Sequence, residues 1–249
     1  MVKYFGFFWC MFFGMGLLYA QKPYLNIQDY QKSVKISFHN LKVDTIVPGD
    51  SGRDVFWDFS DLEEEGRPSS SQVLSPDSLA NAEFPNTNYI EKYANGSFMA
   101  YSREGGRTYL LGYFDPNSGA KIEYTLPLLM SKRPLSFGDI ISSDYNVVFS
   151  HGENSFTSKG KAILESDGHG ILRLPHKIFY DVLRIRLTQL QEDSISRFDT
   201  INKVKTITYF WYDRKNDSPL LKYTESESNH RKRKVLQSLI EESSNLNIK

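Results

Sequence analysis

The sequence predicts an all-β, antiparallel fold, either a β-sandwich or a strongly curved sheet, and three observations predict it. "YDVLRIRLTQL" (180–190) alternates with period two, so Leu183, Ile185 and Leu187 share one face and Arg184, Arg186 and Thr188 the other. "VKTITYFWYD" (204–213) sets Ile207, Tyr209 and Trp211 against Thr208, Phe210 and Tyr212. Both faces are apolar enough to be covered, as in a central strand. Between such segments stand hairpin signals rather than helix-period stretches: "REGGR" (103–107), "DPNSGA" (115–120), "ESDGHG" (165–170) and "DRKNDSP" (213–219).

Taken in order, the chain opens with Lys3, an apolar run over 4–19 and the small Ala20, the layout of a secretory signal peptide at 1–20. No cluster of positive charge follows to stop transfer, so no stable transmembrane anchor is expected after cleavage. Cys10 is preceded by Phe-Phe-Trp rather than small residues, which argues against a lipid-attached cysteine. Cleavage after Ala20 leaves 249 − 20 = 229 residues and no cysteine, which removes disulfides, thiolate metal ligands and a cysteine nucleophile. Residues 21–224 are expected to form one exported all-β domain. Its further strands are expected at 34–38, 54–59, 97–103, 107–114, 120–125, 145–150, 155–164, 169–174 and 219–224. The acidic, then Pro/Ser-rich stretch 62–86 reads as a long surface loop. The tail 225–249 has apolar residues at helical spacing, but its basic-then-acidic order opposes the helix dipole, so a flexible tail or a short helix is expected. Charge is balanced, 30 Lys+Arg against 30 Asp+Glu, and no nucleic-acid partner is expected.

The chemical motifs are thin. "GDSG" (49–52) matches the surroundings of the serine in chymotrypsin-like proteases, but Arg53-Asp54 replaces Gly-Pro and the sole upstream histidine, His39, lies 12 residues before Ser51. A triad serine needs a histidine base and an orienting acid, so the stretch reads instead as a turn into a strand. His39, His151, His169, His176 and His230 form no H-E-x-x-H or comparable ligand pair, with His169 and His176 in or beside turns. Carboxylates cluster at Asp58, Asp61, Glu63, Glu64 and Glu65. Asp115 and Asn117 supply two positions of a calcium loop and then stop, as in a hairpin turn. "HRKRK" (230–234) reads as a solvated segment, and "NGS" (95–97) matches an N-glycosylation acceptor. No catalytic, metal or cofactor residue is assigned, and no cofactor is expected.

Five short motifs occur in order: Trp57-Asp58-Phe59-Ser60-Asp61-Leu62, "FPNTNY", "LPLLMSKRPLSFGD", Gly168-x-Gly170 running through "LRLP" to "DVLRIR", and "TITYFWYD" with Pro219-Leu220-Leu221. In these the chain resembles a group of uncharacterised secreted all-β proteins of the Bacteroidota, over about residues 49–223. The resemblance implies a mostly β exported domain and no particular activity. It also implies that "DTI" (44–46, 199–201), "DSL" (77–79) and "DSI" (193–195) match a short O-glycosylation acceptor pattern. Trp57 is expected to anchor the core where its strand joins the sheet.

The function expected from these readings is a non-catalytic envelope or surface module that binds a glycan, a peptide or another envelope protein through exposed tyrosines. It would be periplasmic, outer-membrane-associated or extracellular. The alternatives are a hydrolase of envelope or dietary polymers with a carboxylate pair, marked by a pocket gathering Asp58, Asp61, His151, His169 or His176, and a structural component with an open strand edge.

Overall fold

The computed structural model describes residues 24–25, 34–43, 46–195, 200–215, 218–228 and 231–239. The expected signal segment, Cys10, His230 and residues 240–249 lie outside them. The strands are β1 (Tyr24–Leu25), β2 (Val34–Leu41), β3 (Gly52–Asp58), β4 (Ser69–Leu74), β5 (Tyr89–Tyr93), β6 (Phe98–Glu104), β7 (Arg107–Asp115) and β8 (Ala120–Lys132). They continue with β9 (Leu135–Ser136), β10 (Ile140–His151), β11 (Asn154–Leu174), β12 (Lys177–Ile195), β13 (Thr200–Tyr212), β14 (Leu221–Ser228) and β15 (Arg231–Leu239). One short helix, α1 (Ser78–Glu83), lies between β4 and β5, capped by the Asp77 side chain accepting from the Ala80 N–H.

The fold is all-β and antiparallel, but it is a closed barrel of 12 strands rather than a sandwich. Apart from β3 and β9, each strand pairs with its neighbour in sequence, from β2 through β8, β10 and β11 to β15. The ring closes where β15 meets β2, with Leu236 opposite Leu41 and Leu239 opposite Phe38. Short turns force sequential pairing, and the right-handed twist of a long meander curls it until the first strand meets the last. In the β6–β7 hairpin, Gly105 (φ 55°) and Gly106 (φ 75°) supply the two left-handed residues that such a turn requires.

Several boundaries differ from expectation. The loop 62–86 contains β4 and α1, and β5 follows it. Within the expected tail 225–249, the described residues are strand rather than a flexible end or a helix: 225–228 complete β14 and 231–239 form β15, so the barrel wall runs on to Leu239. "ESDGHG" is no turn but the middle of the 21-residue β11, where bulges at 166/168 and 170/172 bend the strand without ending it. Pro175 does stop β11, and β12 resumes at Lys177.

Alternation sorts the wall into two faces. Leu183, Ile185 and Leu187 of β12 join Tyr145, Leu164, Leu128 and Leu135 in a buried cluster inside the barrel. On the outside, α1 and Phe84 cover β5, β6 and β7 through Ile90, Phe98 and Ala100. A second outer layer, formed by β3 and the segment around it, covers β12 to β15 through Trp57, Trp211, Leu221, Tyr223 and Leu236. Elsewhere the outer face is charged, with Asp144, Lys159, Lys161, Lys203 and Lys205 exposed. Lysine facing lipid near a bilayer midplane costs about 2–4 kcal/mol each, so this face suits water and the apolar face is the inner one. No helix among the described residues is long and apolar enough to cross a membrane.

A candidate ligand-binding lumen

Three of the five ordered motifs, those holding Trp57, Gly168 to Arg184, and Trp211, meet at one place on the outside of the barrel wall. β3 runs parallel to the end of β11, pairing Trp57 with Leu172 and Phe56 with Ile171. The close approach depends on glycine: a Cβ on Gly170 would lie 1.9 Å from the Val55 carbonyl oxygen, and one on Gly168 would lie 2.7 Å from the Trp57 ring. Arg184, expected on a charged face, is in fact buried there at 2% exposure. Its Nε and Nη2 donate to the two oxygens of buried Asp167 at 2.8 and 3.0 Å, and its Nη1 donates to the carbonyls of Pro48 and Gly49 at 2.7 and 3.0 Å. The rings of Tyr209, Trp57 and Trp211 surround the guanidinium at 5.1, 5.3 and 5.8 Å. Four of the five N–H donors of the arginine are taken within the chain, so this aromatic cage fastens β3 to the wall. It explains the "GDSG" turn as well. Pro48 and Gly49 hold Arg184, the Asp50 carbonyl accepts from the Trp57 indole N–H at 3.1 Å, and Ser51 is exposed.

The other sequence candidates lie apart. His39 faces Glu64 at 3.1 Å and Lys42 pairs with Glu63. Asp58 accepts from the Ser60 N–H at 3.0 Å, which with the Ser60 hydroxyl lowers its pKa, and Arg173 approaches it at 3.5 Å. Asp61 meets the Ser60 hydroxyl at 3.4 Å. His151 ends β10, and His176 sits in the β11–β12 turn. His169, expected in a turn, lies within β11 and meets Asp181 at 2.8 Å, while Arg214 holds the other Asp181 oxygen at 2.8 Å. Asp181 is 42% exposed, and its partners among the described residues are His169 and Arg214. Asp115 accepts from Asn117 N–H and Ser118 hydroxyl in the β7–β8 turn, hydrogen bonds that lower its pKa and account for the partial calcium pattern. Among the described residues no group of three His, Cys, Asp or Glu side chains is placed to hold a metal. Asp193 of "DSI" accepts from Ser158, Gln191 and Asn202, so its carboxylate is committed inside the wall.

An aromatic-lined concave site lies in the lumen. Next to the packed cluster the barrel encloses a cavity of about 390 Å³ with wall residues from β2, β4 to β8 and β12 to β15. Gly106, Arg133, Ser218 and Pro219, from connections at one end of the barrel, also line it. Its wall is aromatic with a polar seam. Tyr89 stacks on Tyr101 at 4.9 Å, and Tyr124, Phe210 and Tyr212 add further rings. Glu91, on β5 between Tyr89 and Tyr93, accepts from the Ser71 hydroxyl at 2.7 Å and the Tyr101 hydroxyl at 3.4 Å. Burial pushes the Tyr93 and Tyr101 hydroxyls up, with Glu91 adding to the shift, and pushes Tyr124 up to about 12. Lys222 of β14 reaches the same cavity, and burial pushes its amine down while the Glu91 charge opposes the shift. Sequence reading passed over this group because Glu91, Tyr93, Tyr101 and Lys222 belong to no motif, while Tyr89, Phe210 and Tyr212 stand in motifs read as architectural. Their one signal is tyrosine, glutamate and tyrosine at alternate positions of "YIEKY" (89–93), a polar seam on the face that period two sends inward.

Comparison with protein-family models, with curated proteins and with solved structures gives no match.

Proposed function

We propose that the protein is a non-catalytic binding module of the cell envelope or the extracellular space, holding a small amphipathic molecule in the barrel lumen. The observation that carries this reading is the cavity. Its volume of about 390 Å³ falls in the range of about 300–1,000 Å³ usual for small-molecule sites, and it combines aromatic walls with a few placed polar groups. A glycan terminus or a compact amphipath matches that volume, whereas a folded envelope protein does not. The tyrosines expected to recognise a ligand from the surface are mostly turned inward: Tyr89, Tyr93, Tyr101, Tyr124 and Tyr212 line the lumen, while Tyr180 is 68% exposed. A hydrolase reading would draw on the sequence candidates, and these are spread along the outside of the wall. A role through an open edge would draw on β3, since closure pairs both edges of every other long strand.

The test is titration of the neutral fluorescent probe N-phenyl-1-naphthylamine into the wild type and Met130→Trp, a substitution that fills the lumen from β8. Saturable binding to the wild type and a loss of about tenfold or more in the variant, 1.4 kcal/mol or above, is the expected result. Equal binding to a folded Met130→Trp protein would put the probe outside the barrel and end this reading.

A further inference from the structure

The charges on the lumen wall are unequal. Glu91 is the one carboxylate among the described lining residues, against Arg103, Arg133 and Lys222. The three cations differ in situation. Arg103 lies over the Tyr89 ring and Arg133 over the Tyr212 ring, each at 5.4 Å. Lys222 has no ion pair or hydrogen bond among the described residues, and its nearest ring, Phe210, is 6.0 Å from the ammonium. Glu91, whose oxygens accept from Ser71 and Tyr101, acts on it through charge alone, with no ion pair between the two side chains. Nor can Lys222 turn away. Leu221 and Tyr223, on either side of it, are buried in the outer core, so the alternation of β14 fixes its stem toward the lumen.

Lys222 is half-buried; a cation partly withdrawn from water without a counter-ion carries part of the desolvation cost, and an anion that enters the cavity relieves it. Building on the lumen-binding reading, we infer that the ligand is a singly charged anionic amphipath whose carboxylate or sulfonate head pairs with Lys222. Its apolar or aromatic body lies against Phe210, Tyr124, Leu128 and Met130. One charge fits better than two. Arg103 and Arg133 are already seated over Tyr89 and Tyr212, so Lys222 is the cation that calls for one ligand charge, and a second charge near Glu91 would be repelled. A neutral amphipath would cover Lys222 and leave it unpaired.

The experiment uses a matched pair of probes: N-phenyl-1-naphthylamine and 8-anilino-1-naphthalenesulfonate, which share the ring system and differ by the sulfonate. Each is titrated into the wild type, Lys222→Met, and Lys205→Met as an exposed-lysine control. The sulfonate should bind the wild type about tenfold or more tighter than the amine, a gap that Lys222→Met removes while amine affinity changes by less than about threefold. Lys205→Met should keep the gap. Equal affinity of the two probes for the wild type, or a gap that survives in Lys222→Met, overturns the anion inference. The lumen reading then stands, provided both probes are lost in Met130→Trp. Binding of both probes to Met130→Trp, or of neither to the wild type, removes the lumen reading and this inference with it.

Discussion

Two cations in this protein stand among aromatic rings, Arg184 on the outside of the barrel wall and Lys222 on the inside, and their surroundings differ in one respect. Arg184 has its counter-ion within the chain. Asp167 meets it with two oxygens, two backbone carbonyls take further donors, and both charged groups are nearly withdrawn from solvent. Lys222 has rings and a nearby negative charge but no partner in contact. A cation completed from its own chain holds structure together, whereas one left incomplete in a cavity is available to something else. Of the motif residues, Trp57, Gly168, Gly170, Arg184 and Trp211 belong to the completed site, whereas Tyr89, Met130, Arg133, Phe210 and Tyr212 line the lumen. Motifs of this kind mark an architecture rather than a reaction.

The largest expected effect breaks the completed site. Asp167→Asn leaves the Arg184 charge buried without its partner, and the protein should lose about 3–5 kcal/mol in urea unfolding. Next is Gly170→Ala. With its Cβ placed 1.9 Å from the Val55 carbonyl oxygen, the substitution should push β3 off β11, costing about 1–3 kcal/mol as overpacking does and shifting tryptophan emission to the red as Trp57 is uncovered. Lys222→Met should behave in the opposite way. It replaces an unpaired cation with a side chain that suits the lumen, so stability should stay level or rise by about 1 kcal/mol at neutral pH. A loss of stability as large as that in Asp167→Asn would mean that Lys222 is structural too, and the comparison would fail.

The smallest effect sharpens the comparison through pH. The folded pKa of Lys222 is lowered below its ordinary 10.5, so between the two values the unfolded chain binds more protons than the folded one. Wild-type stability should therefore gain from rising pH in that window, relative to Lys222→Met, by a fraction of about 1 kcal/mol. The measurement belongs below pH ~10, because above it tyrosines ionise first in the unfolded state. Tyr124, Tyr145 and Tyr223, each pushed up to about 12 by burial, then withdraw stability from both proteins alike.

Much of the wall was legible because alternation is local. The period of two in 180–190 placed Leu183, Ile185 and Leu187 inside, and the two apolar faces of 204–213 located a strand that is paired on both sides. Barrel and sandwich share that alternation, and what separates them is the pairing of β15 with β2 and β10 with β11, which no short window contains. β4 was missed because "SSSQVL" is polar on its outer face and presents Ser71 rather than an aliphatic residue to the lumen. β15 was missed because its first four residues are basic, although Lys232 pairs with Glu225 on the adjoining strand. Arg184 looked like a solvated charge since its acid lies 17 residues away, across a bulged hairpin. Lumen chemistry was the least legible part: Glu91 and Lys222 come together only after the ring has closed.

That closure also sets the order in which the molecule can be made. Residues 34–41 wait for residues 231–239 before their free edge is covered, so a chain leaving the ribosome carries an open β2 edge until β15 has emerged, about 200 residues later. Until the last strand arrives, such an intermediate exposes strand edges and apolar lumen together, the state most prone to pair with other chains. A protein cut after Ser228 should remain there, whereas removing the turn glycines one at a time would merely slow the approach to it. β15 is thus the timing element of the fold, because the container exists only once that strand has arrived.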